Sequence, residues 1–226
     1  MVVWERPEPP DRPALAPLSR ERIVRAAIEL ADADGLDAVS LRKIATALDV
    51  GPMRLYGYIA SKEELLDLMV DAAHAGIRPT GTGWREALRS FAEAMRHTVH
   101  EHEWLADLLG GRPQLGPNAL AGGEAVMAEL GELGVDAVMP VVSAVNAYTI
   151  GAVRREIAEW RAERATGMDE KRWQAELGPY LRRTLATGEL PALATVVRDA
   201  VHLDADETFR IGLDFLLDGI EARLSS

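Results

Sequence analysis

The sequence predicts an all-α protein in two parts, an N-terminal three-helix helix-turn-helix head and a larger helical body. Three observations carry this. Apolar residues recur at i, i+3, i+4 and i+7 in segment after segment, and no alternating strand pattern appears. The stretch Ser40 to Lys62, SLRKIATALDVGPMRLYGYIASK, fits two very short helices around one turn. Ile77-Arg78-Pro79-Thr80-Gly81-Thr82-Gly83 then holds too many breakers to be helical and marks a boundary. The expected divisions are 1–18, 19–77 and 78–226.

Residues 1–18 carry Pro7, Pro9, Pro10, Pro13 and Pro17 with little periodicity, which predicts a flexible, disordered arm. Arg6 and Arg12 would suit a minor groove, but Glu5, Glu8 and Asp11 cancel their charge and favour a solvated tail. A helix should run from Ser19 to about Asp34 on a stripe of Ile23, Ala26, Ala27 and Leu30, with Gly35 as its stop. Ser40 can cap the next helix, whose stripe is Leu41, Ile44, Ala45 and Leu48. Gly51 is expected to supply the backbone freedom of the turn, and Pro52 to restart a helix of one or two turns. Only Leu55 there must face inward, leaving Met53, Arg54, Tyr56 and Tyr58 outside. Ser61-Lys62-Glu63-Glu64 is a capping box, and the helix it opens should bury Leu65, Leu68, Met69 and Ala72.

In the body, Trp84 to about Leu109 reads as one helix with Leu88, Phe91, Met95, Val99 and His102 on one side. Gly110 to Pro117 reads as a loop long enough to move, and Ala119 to Leu130 as a helix ended by Gly131 and Gly134. Ala137 to Val153 is the most apolar segment. With no wet side it should be covered on more than one face, and Pro140 should start or kink it. Amphipathic helices follow at about 168–185 and 191–201. A last helix, about 206–224, carries Ile211, Phe215 and Leu216, with Gly212 and Gly219 on one face.

Absence of cysteine excludes disulfides and thiolate metal sites, and suits a reducing cytoplasm. No charged-then-apolar leader and no run of 18 apolar residues is present, so neither secretion nor membrane spanning is expected. Net charge is −11, which argues against a general polyanion binder. Residues 1–62, however, hold nine Lys/Arg and nine Asp/Glu, so the rest of the chain carries the whole excess. The helix-turn-helix face is locally positive through Arg42, Lys43, Arg54 and Lys62, which implies an oriented, local contact with DNA.

Several spaced elements then agree at once. Val39-Ser40-Leu41-Arg42-Lys43-Ile44-Ala45, Leu48-Asp49-Val50-Gly51, Leu55-Tyr56 and Ser61-Lys62-Glu63-Glu64-Leu65-Leu66 resemble the TetR family of bacterial transcriptional regulators. The likeness covers roughly residues 19 to 72. It implies a body that dimerises and holds a small-molecule cavity, and base-edge contacts at Pro52 and Met53. Gly57 departs from the pattern, since a larger, backbone-contacting side chain usually stands there.

Within that motif Arg54 is best placed to fork onto guanine O6 and N7. Tyr56, Tyr58 and Lys62 suit phosphate positioning. For a ligand site the candidates are Met95 and His102 on one segment and Asn146 and Tyr148 on another. A buried amide such as Asn146 needs a partner, from a ligand or from a second subunit, or costs about 1–3 kcal/mol. His102 fits a pocket histidine and a satisfied core histidine equally. His97, His100 and Glu101 could hold a metal, but polar residues on a helix rim explain them better. No metal or cofactor is therefore expected, and no catalytic motif argues for an enzyme. The resulting expectation is a cytoplasmic, homodimeric repressor released from a palindromic operator by a small molecule, not a membrane protein. The rivals are a dimeric regulator without an effector and, further off, an all-helical enzyme or carrier.

Overall fold

The computed structural model describes residues 2–9 and 17–224, and every regular element among them is helical. Local capping explains most of the head. Helix α1 (Arg20–Asp34) begins where the Ser19 hydroxyl accepts the Arg22 amide at 3.2 Å, and ends at Gly35, whose φ of 81° needs a glycine. Helix α2 (Leu41–Ala47) is capped by Ser40 through the Lys43 amide at 3.3 Å. Helix α3 (Pro52–Leu55) is a single turn. Helix α4 (Lys62–His74) starts with a reciprocal cap: Ser61 accepts the Glu64 amide at 3.2 Å and Glu64 accepts the Ala60 amide at 2.7 Å.

The turn between α2 and α3 differs from expectation. Asp49 takes the left-handed conformation, with φ 53°, and Gly51 is extended at φ −67° and ψ 136°. Asp is among the few residues that tolerate that region, so Gly51 is left to lead into Pro52. Residues 2–9 also depart from the free-arm reading. Val3–Glu5 form one 3-10 turn, Val3 is buried, and Arg6 reaches across to Glu64. Arg12 lies outside the described residues.

The body comprises α5 (Trp84–Glu101), α6 (Leu105–Leu108), α7 (Pro117–Glu129), α8 (Val135–Thr166), α9 (Glu170–Leu185), α10 (Pro191–Asp199) and α11 (Ala205–Leu224). The single helix expected over 84–109 breaks at His102, which sits at φ −128° and ψ 74°. The break lets Trp104 turn inward until 2% of it is exposed. Pro140 lies inside α8, early in its course, because the helix starts two residues before the expected Ala137.

Two apolar cores hold this together. One begins in the head with Ile23, Ile44, Leu55 and Leu65, and continues into the body through Trp104, Leu105, Val153 and Ile157. The other joins α5, α7, α8 and α11 through Leu88, Val126, Val145, Phe209 and Leu213. Near their meeting point the buried Glu156 accepts from Arg96 at 2.9 Å and pairs with His100 at 2.6 Å, so its charge is not left alone. Packing does not cover α8 all round. Val135 and Met139 stand 85% and 64% exposed, and α9 and α10 bury no residue. Among the described residues α8 is the one helix long and apolar enough to cross a membrane, but its later half is charged and packs on α5 and α6.

Candidate nucleic-acid interface and ligand cavity

On the head, the local sequence does most of the positioning. Pro52 fixes the first turn of α3, the Gly51 carbonyl accepts the Arg54 amide at 2.9 Å, and Leu55 is fully buried as the anchor. This leaves Arg42, Lys43, Pro52, Met53, Tyr56 and Lys62 exposed and Arg54 half-buried. Such a surface offers a guanidinium fork, a thioether and proline for methyl contacts, and hydroxyl and ammonium donors for phosphate. Tyr58 is not part of it. It is 5% exposed and belongs to the head core, because α3 ends at Leu55 and the chain turns before the expected face continues.

Between the head and the body, α4, α5, α7 and α8 line a half-open cavity of about 700 Å³. Met95 and Asn146 line it, with apolar walls from Leu88, Phe91, Val126 and Ile150. The Asn146 side-chain carbonyl is buried, and no hydrogen-bond partner for it stands among the described residues. The loop after α6 lines the cavity from Gly110 to Gln114. Its start is pinned: Arg154 donates to the Ala106 carbonyl at 2.8 Å and to the Leu109 carbonyl.

Two expected cavity residues lie elsewhere. His102 follows the break in α5 and pairs with Asp32 of α1 at 2.9 Å, beside Trp104, which donates to the same carboxylate at 2.7 Å. Tyr148 points to α11, donating to the Phe209 carbonyl at 2.7 Å, and burial raises its phenol above the ordinary range. A Cβ at Gly212 would overlap the Tyr148 ring, so that glycine serves a contact within the chain. The histidine cluster also disperses: exposed His97 faces Glu101 at 3.4 Å, while His100 turns to Glu156.

The residues that sequence reasoning missed are Asp71 and His74, both buried on α4. Asp71 accepts the Asn118 and Ala119 amides, each at 3.0 Å, and the Asn118 side-chain amide at 3.1 Å. It therefore supplies from another helix the cap that α7 lacks, since Gly116 has no side chain to offer. A Cβ at Gly116 would overlap the Asp71 carboxylate. One turn on, His74 bonds the Val70 carbonyl at 2.8 Å and lines the cavity.

Residues 23–69 match the family described as bacterial regulatory proteins, tetR family, and residues 78–224 match the tetracyclin repressor-like, C-terminal domain. The chain belongs to the TetR family. Among TetR relatives it is 35% identical to the HTH-type transcriptional repressor DrrR1 of Streptomyces coeruleorubidus, covering 97% of this chain and 83% of that one. It is 28% identical to the class D tetracycline repressor protein of Escherichia coli, covering 94% and 93%. Apo ActR from Streptomyces coelicolor superposes with a TM-score of 0.81 at 27% identity, covering 94% of this chain and 99% of ActR. ActR in complex with actinorhodin gives 0.79 at 28% identity, covering 92% and 97%.

Proposed function

We propose that this TetR-family regulator is a repressor that leaves a two-fold operator when a small molecule fills the cavity between α4, α5, α7 and α8. The observation that carries the reading is Asn146. An unpartnered buried carbonyl in a mainly apolar space of this size is a recognition group awaiting a donor, such as a ligand hydroxyl or amine. ActR, similar across nearly the whole chain, has been solved with actinorhodin, so actinorhodin is the first molecule to try.

The route to DNA runs through Asp71. The cavity wall includes Asn118 and Ala119, whose amides Asp71 holds, and His74, one turn along the same helix as Asp71. A ligand that shifts the start of α7 therefore acts on α4, and α4 begins at Lys62 beside the DNA face. The ligand must prefer the shifted state for this to release DNA. Pairing two heads on half-sites about 34–36 Å apart supplies the sequence specificity one head lacks. The uncovered stripe of α8 and the exposed Phe215 on α11 are the faces for the second copy. Acting on DNA, the protein would work in the cytoplasm.

Asn146→Leu tests the cavity. The variant should keep DNA binding and dimerisation but lose release of DNA by a ligand found in a thermal-shift screen seeded with actinorhodin. An intact ligand response with altered subunit association would place Asn146 at the interface between copies instead.

A further inference from the structure

Gly57 and the N-terminal segment explain each other. Residues 2–9 lie against the C-terminal side of α3 and the start of α4, held at four places. Arg6 forks onto Glu64, at 3.1 Å to one carboxylate oxygen and 2.6 Å to the other, and donates to the Tyr58 carbonyl at 3.0 Å. Arg20 of α1 donates to the Arg6 carbonyl at 2.7 Å, and Glu8 accepts the Arg20 amide at 3.1 Å at the head of α1. Val3 is 4% exposed. Pro9 sits where a side chain at position 57 would stand, since a Cβ on Gly57 would be 3.3 Å from its Cγ. Gly57 has no positive φ, so the glycine is there for space and not for backbone freedom.

Glu64 is the centre of this arrangement. It caps the turn between α3 and α4 through the Ala60 amide while it receives Arg6, and Arg6 holds its carboxyl below the ordinary carboxylate range. Bidentate, charge-assisted contacts fix geometry as well as adding energy. Through Glu64 and the Tyr58 carbonyl, Arg6 grips both ends of the short segment that joins the DNA-facing turn to the connecting helix.

We infer that residues 2–9 brace the recognition turn, and that Arg6 is a positioning residue for DNA recognition that touches no DNA itself. The arm is then neither a solvated tail nor a minor-groove finger over this stretch. The inference rests on the DNA-binding reading only for its binding measurements.

The test uses the full chain and a duplex enriched by the wild type from a random library. Arg6→Ala, Glu64→Gln (which keeps an acceptor for Ala60) and the double variant are titrated against that duplex and a scrambled one at several salt concentrations. Each single variant should lose about three- to tenfold in operator affinity and some preference over scrambled DNA. The double should lose no more than the worse single. The salt slope should stay at the wild-type value, because no phosphate contact is removed. Hydrogen exchange at amides 57–61 should quicken in all three, and in Gly57→Leu, which evicts Pro9 while leaving Arg6 in the chain.

A salt slope flatter by about one unit in Arg6→Ala would make Arg6 a phosphate contact and overturn the inference. Unchanged operator affinity would overturn it too, whether or not exchange quickens, since the segment would then pack without positioning anything. If the wild type enriches no duplex, the DNA-binding reading and the positioning role fall together. The exchange rates then decide separately whether the segment is docked.

Discussion

The head and the body build their sites by opposite means. On the head, most of the residues proposed to face DNA are placed by something within a few positions of them: Ser40 for Arg42 and Lys43, Pro52 for Met53 and Arg54, Ser61 for Lys62, with the Arg6–Glu64 pair as the long-range exception. In the body, several polar groups are paired with a residue far along the chain. Asp71 caps a helix 47 residues away, Arg96 meets Glu156 60 residues away, and Tyr148 reaches a carbonyl 61 residues away. A site built locally can be grafted and read from a short motif. One built at long range can be retuned by any helix that touches it.

The sharpest way to break this contrast is to injure the head from the body. Phe215 on α11 is 73% exposed in the single chain, so Phe215→Asp should cost the monomer almost nothing. If two copies pair over that face, the variant should sediment as a monomer at micromolar concentration. It should lose about a hundredfold or more in operator affinity, since the second head no longer binds as part of one molecule. A dimeric variant with intact affinity would remove α11 from the interface.

Asp71→Ala probes the seam between the two regions. Removing the carboxylate strands the first amides of α7, at a cost of about 1–3 kcal/mol in denaturant unfolding. Ligand should still bind, but DNA should no longer be released by it. Normal release with only the stability loss would make Asp71 a cap and nothing more.

Effects confined to the head separate base readers from phosphate contacts. Arg54→Ala should lose about 1–3 kcal/mol of binding and relax preference at one base pair. Lys62→Ala should weaken binding to all sequences alike and flatten the salt dependence by about one unit. Gel-shift titrations on the enriched duplex and its single-base variants distinguish them, and equal, sequence-blind losses would remove Arg54 as a reader.

How much the sequence revealed follows the same division. Caps and stops such as Ser19, Gly35, Ser40, Ser61 and Pro191 sit where their chemistry says, because each acts within one turn. Periodicity put Met95 on an inward face and apolar neighbours on both sides singled out Asn146, and both line the cavity. For His102 and Tyr148 it named a face but not the neighbour. Asp32 and α11, which claim them, are remote in the chain. Asp71 was hidden because a carboxylate on a helix reads as solvent-facing. Its signal was indirect: Gly116-Pro117 opens a helix with no local cap, so the cap must come from elsewhere. Tyr58 failed through the brevity of α3, since four helical residues do not extend a face to position 58.

One contact between the regions has an optical consequence. Trp104 is buried in the body, yet its indole N–H is held by Asp32, a residue of the first helix of the head. Indole emission shifts with polarity and hydrogen bonding, and the other four tryptophans occupy different surroundings, from half-buried Trp84 to open Trp173. A swing of the head that opens this contact would change the emission of Trp104. The protein thus carries an intrinsic, label-free gauge of its own head movement, readable in a fluorimeter without DNA.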